Sequence, residues 1–146
     1  MKNVLILLGL LLVGYAGARL LGFNHERAGQ VGIALVFAFT ALGHFIKQDE
    51  MIAMLPPSLP GRRTAVLLSG VLELMMAIGV LLPSLTRAAG IVICVFLVLV
   101  TPVNIHAALQ RVNFGGHGAG PKYLWVRLPL QIVLIAWTYW FAVRSG

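Results

Sequence analysis

The chain is built from apolar runs, Asn3–Phe23, Gln30–Ile46, Thr64–Leu82, Ala88–Leu109 and Tyr123–Val143, joined by short polar stretches. Roughly 20 consecutive apolar residues are what an α-helix needs to cross a bilayer. Inside lipid every backbone N–H and C=O must be satisfied within the segment, so such runs fold as helices and pack side by side. The sequence therefore predicts an all-α fold, a polytopic transmembrane helical bundle.

Composition agrees: 60% of the residues are hydrophobic and 10% charged, against about 25% charged in soluble domains. The net charge of +7 does not point to nucleic acid. Basic residues stand singly or in pairs at the ends of apolar runs, which is the membrane-flanking pattern. Lys2, Lys47, Arg62, Arg63, Arg111 and Lys122 fall on one side of such a bundle, and Arg19, Arg27, Arg87 and Arg144 on the other. The first side is expected to be cytoplasmic. A lone cysteine, Cys94, excludes an internal disulfide, a Cys-x-x-Cys pair and a metal cluster made by this chain alone. It reads as a small packing residue.

The first run has two readings. Lys2, the Leu-rich stretch and Ala16-Gly-Ala18 resemble a signal peptide with its cleavage site. The favoured alternative is an uncleaved spanning helix. Asn24–Arg27 reads as a polar connection with a solvated His25. Gln48–Leu55 reads as a short interfacial helix opened by Asp49 and Glu50 and stopped by Pro56. Pro102 is expected to kink the fourth span and leave carbonyls in need of partners. Asn113–Pro121 reads as a flexible, glycine-rich loop. Tyr123 and Trp125 mark one membrane interface, and Trp137, Tyr139 and Trp140 the other.

Against this background Glu73 stands out. It is one of only four acidic residues, and it falls in the middle of the third run, where an ionised group costs roughly 3 kcal/mol or more. At 1.5 Å per residue, Glu73 lies roughly 14 Å below the side carrying loops 47–63 and 110–122. Arg127, Gln131, Asn104 and Thr101 lie roughly 6–12 Å below that same near side, and His44 roughly 3 Å. The far half reads as almost purely apolar. Helical spacing gathers Thr40 with His44, Ser69 with Glu73, Thr101 with Asn104, and Arg127 with Gln131 on single faces. Their convergence predicts a polar pocket open to the near side and capped by the Pro-rich loop. His106 faces elsewhere. A structural ion pair between Glu73 and Arg127 is the competing reading, as are simple interhelical hydrogen bonds from Asn104, Gln131 and Thr101.

Five stretches in order over residues 31–141 carry a resemblance: Gly43-His-Phe45, Met54-Leu-Pro-Pro-Ser-Leu-Pro60, Ser69-Gly-Val-Leu-Glu73, Pro102-Val-Asn-Ile105 and Arg127-Leu-Pro-Leu-Gln131. Together they resemble the DoxX/DoxD-like membrane proteins. The resemblance implies a four-helix core over residues 30–146, with residues 1–23 as an added N-terminal hydrophobic helix. It also implies a redox-associated component of the bacterial cytoplasmic membrane, working with quinone and a partner oxidoreductase. The family positions carry over to His44, Glu73 and Arg127.

Two functions follow as expectations. One is a quinone or similar apolar ligand held by Glu73, Arg127, His44, Asn104, Gln131 and Thr101. In that reading the chain is a non-autonomous subunit with no cofactor of its own, since no haem or flavin site is evident. The other is a non-catalytic assembly helper or lipid-binding scaffold, for which self-association remains open. A transporter ranks last, because the far half offers no path and no internal repeat is visible.

Overall fold

The structure is a computed structural model, and it describes residues 1–145. Those residues form helices joined by short turns: α1 (Lys2–Leu20), α2 (His25–Ile46), α3 (Gln48–Ile52), α4 (Arg62–Leu81), α5 (Thr86–Leu109) and α6 (Leu124–Thr138). A 3₁₀ segment, His117–Tyr123, leads into α6, and a π-helical turn, Tyr139–Arg144, continues it. Among the described residues five helical segments are long and apolar enough to cross a membrane.

Four of them close a ring. α2 packs on α4, α4 on α5, and α5 on α6 with its π-helical end, which returns to α2. The core inside that ring is made by Ile33, Val36, Phe37, Met76, Val80, Ile93, Leu97 and Leu134. Large apolar side chains such as Leu68, Met75, Leu99 and Ile132 point outward instead. That outward distribution would be a liability in water and suits lipid.

α1 lies outside the ring, mainly against α2. Lipid tails are as apolar as leucine, so close backbone packing rather than water exclusion must hold such helices together. Gly32 supplies that closeness: a Cβ there would sit 2.6 Å from the Leu11 carbonyl oxygen.

Several sequence expectations need correction. α2 begins at His25, because the Asn24 side chain accepts from the Arg27 N–H at 2.8 Å and caps it. His25 is exposed, as expected, and it also hydrogen-bonds Tyr15 and meets the Phe141 ring. The far end is also not purely apolar. Arg27 donates to the terminal Leu81 carbonyl of α4 at 2.8 Å and to Gln30 Oε1 at 2.9 Å. Gln30 in turn donates to the Phe141 carbonyl at 3.0 Å. These side chains satisfy carbonyls that a helix end leaves without partners. Trp137 and Tyr123 turn inward rather than marking interfaces, Trp137 donating to the Gly29 carbonyl at 2.9 Å.

On the near side, α3 is shorter than expected, and Met54 just beyond it is buried. Arg63 ties this segment to α4 through Gln48 at 2.9 Å and Asp49 at 3.2 Å. α5 runs unbroken through Pro102.

Gly32→Val should cost about 1–3 kcal/mol through overpacking against backbone that cannot yield. Gly9→Val, where a Cβ meets nothing within 4 Å, should leave stability unchanged. Thermal unfolding of both variants in one detergent checks the contrast.

Candidate functional site

The near half of the ring encloses a cavity of about 520 Å³. Its apolar walls include Leu7, Phe39, Phe96, Val100 and Val103, and its polar groups are Asn3, Thr40, His44, Lys47, Ser69, Glu73, Asn104, His117 and Arg127. Met51, Met54 and Leu55 close over it from the α3 loop, as do Phe114 and Gly115 from the loop after α5. A mostly apolar hollow with a few convergent polar groups is the usual form of a small-molecule site.

His44 and Glu73 form its centre. Gly70 makes their meeting possible, since a Cβ there would come within 2.6 Å of the His44 Cβ. Without it α4 could not lie close enough to α2 for His44 to reach across. His44 Nδ1 lies 2.8 Å from the Val66 carbonyl oxygen, and Nε2 lies 3.4 Å from Glu73 Oε1. A carbonyl only accepts, so Nδ1 carries its hydrogen. A bare Nε2 facing a bare carboxylate would set lone pair against lone pair in a site only 6% exposed at Glu73. A proton on either atom, giving imidazolium with carboxylate or imidazole with carboxylic acid, would relieve that repulsion. Glu73 is thus partnered by His44 rather than by Arg127, and among the described residues no ion pair joins Glu73 to Arg127.

Arg127 stands across the ring, because α4 and α6 occupy opposite corners and share no extensive interface. Its guanidinium lies beside Tyr123 and His117. Four buried polar atoms have no hydrogen-bond partner among the described residues: Glu73 Oε2, Arg127 Nε, Tyr123 Oη and Gln131 Oε1. Each such atom costs about 1–3 kcal/mol unless something fills the role of partner. Two of them belong to residues that line the cavity, Glu73 and Arg127.

The six candidates divide. His44, Glu73, Asn104 and Arg127 line the cavity, whereas Thr101 and Gln131 do not. Thr101 Oγ1 donates to the Leu97 carbonyl at 2.9 Å, and Gln131 Nε2 donates to the same oxygen at 2.6 Å. Thr101 makes a local bond within α5 and Gln131 ties α6 to α5; the carbonyl that Pro102 leaves without its helical donor is that of Val98, not Leu97. His106 is not part of the lining, as expected.

His117 was not identifiable from sequence. The glycines around it read as a flexible loop, yet it is buried in the 3₁₀ segment with an oxygen near each ring nitrogen. Nδ1 lies 2.8 Å from the Phe114 carbonyl oxygen, and Nε2 lies 3.1 Å from Asn104 Oδ1. Its ring meets Tyr123 edge-on at 4.9 Å. The only sequence signal was Asn104 itself, a buried amide needing a partner from beyond its own helix.

Fold and site together define a small helical bundle of membrane-spanning length with a one-sided polar cavity. The chain belongs to the family described as a domain of unknown function, DUF8561, whose model matches residues 33–142. No curated protein and no solved structure matches the chain. The matched residues hold the ring and nearly all polar groups of the cavity, while Asn3 and Leu7 of α1 lie outside them.

Glu73→Gln keeps a donor for His44 Nε2, so its unfolding midpoint should stay close to the parent value. Glu73→Leu strands the imidazole nitrogen and should cost about 1–3 kcal/mol. Denaturant titrations of the two variants side by side test the pairing; equal stabilities would refute it.

Proposed function

We propose that the chain is a membrane binding protein for a quinone or a similar apolar molecule with a hydrogen-bonding head. The observation that carries this reading is the pair of buried, unpartnered atoms, Glu73 Oε2 and Arg127 Nε, on residues at opposite corners of a largely apolar cavity. An aromatic or isoprenoid body suits Leu7, Phe39, Phe96 and Val103, and the Arg127 guanidinium supplies donors for a head-group oxygen. A proton carried by the His44–Glu73 pair would let the site donate to a second oxygen or take a proton back.

The resemblance to DoxX/DoxD-like proteins supports a redox setting in a bacterial cytoplasmic membrane. Quinone, when bound, would supply the redox chemistry. This chain's own residues would orient the head and hold the proton, and electrons would come from a partner oxidoreductase. The scaffold alternative predicts lipid in the cavity in place of quinone.

The test is retention of a prenylated benzoquinone by protein in lipid nanodiscs, read by native mass spectrometry. Arg127→Ala should weaken retention by roughly 30-fold, the equivalent of about 2 kcal/mol for a hydrogen bond from a charged donor. Retention of phospholipid alone, or quinone binding indifferent to both Arg127→Ala and Glu73→Gln, would reject the reading.

A further inference from the structure

We infer that the cavity is loaded sideways from the lipid, through an opening between the near ends of α1 and α2, so that its ligand is an amphiphile dissolved in the bilayer. This deepens the binding role proposed above and rests on it.

Helical spacing places Gly32, Leu35, Phe39, Leu42 and Ile46 on one face of α2. The first two meet α1 closely: a Cβ on Gly14 would lie 2.7 Å from Leu35 Cδ1, and one on Gly32 would lie 2.6 Å from the Leu11 carbonyl oxygen. The other three continue towards the near side on that same face, and they are progressively uncovered. Phe39 is 44% exposed, Leu42 58% and Ile46 71%. All three line the cavity, and so do Asn3 and Leu7 on the facing stretch of α1. Contact with α1 is thus close at mid-depth, and the exposure that rises along these cavity-lining residues towards the near side places the way in there.

The alternative way in is through the near end, where exposed Lys47 reaches the rim while the α3 and 3₁₀ segments lie over much of the mouth. Met54 is buried under the α3 loop, and His117 is pinned by Phe114 and Asn104 in the 3₁₀ segment. A second observation points to an occupant rather than to loose packing. Glu73 is buried, lines this cavity, and has Oε2 without a partner. A polar head seated there leaves an apolar chain to run out past Phe39 and Leu42, whose exposed surfaces match it.

The experiment reads access directly. In full-length protein carrying Cys94→Ser, Ser69→Cys places the sole thiol on the cavity wall. In proteoliposomes a lipid-dissolved apolar maleimide should label it several-fold faster than a sulfonated, water-confined one. Adding Leu42→Trp, which fills the opening from a lipid-exposed position, should slow the apolar reagent several-fold. Ile132→Trp, on an outward face that does not line the cavity, should not. Thr40→Cys serves as a second reporter should Ser69→Cys fold poorly. Faster labelling by the water-confined reagent, no labelling by either, or indifference to Leu42→Trp would each overturn the inference. The reagents report access and not affinity, so a failed quinone titration and a failed side path are told apart.

Discussion

The contact between His44 and Glu73 organises the near half of this bundle. A carboxyl group at mid-membrane must be neutral or partnered, and His44 is the partner that the structure provides. The Val66 carbonyl fixes which imidazole nitrogen carries hydrogen, and that leaves the other to face Glu73. The arrangement depends on a glycine, because only at Gly70 can α4 come close enough to the His44 Cβ. Local backbone chemistry on one helix thus sets the protonation of a side chain on its neighbour.

Polar side chains here do two jobs, and the structure separates them by what they touch. Thr101 and Gln131 converge on the Leu97 carbonyl, and Asn104 Nδ2 donates to the Val100 carbonyl at 3.1 Å. These contacts give polar side chains partners inside the bundle, and Gln131 ties α6 to α5. At the far end Arg27 and Gln30 bond the carbonyls of Leu81 and Phe141. Glu73 and Arg127 are different, since each keeps a buried polar atom that the fold does not satisfy. Groups left in that state in a cavity are candidates for recognition.

The spans, their number and the clustering of polar groups on one side were legible in the sequence, because length, hydropathy and helical spacing fix them directly. The choice of His44 rather than Arg127 as the partner of Glu73 was not legible. It depends on which helices occupy adjacent corners of the ring, and that follows from packing of small residues such as Gly70. His117 was hidden for a related reason: a glycine-rich stretch reads as mobile until a distant amide, Asn104, is seen to hold it. The far-end network was missed because Arg27 and Gln30 flank a span, where polar residues are expected to meet water. The position of α1, outside the matched family residues yet lining the cavity, could come only from three dimensions.

The most direct test of the central claim is solid-state nitrogen-15 NMR of His44 in lipid bilayers. The account predicts a protonated Nδ1 and an Nε2 whose shift and coupling report a proton shared with Glu73, a signature that Glu73→Gln abolishes. A neutral ring with hydrogen on Nε2 and a bare Nδ1, unchanged by Glu73→Gln, would contradict it.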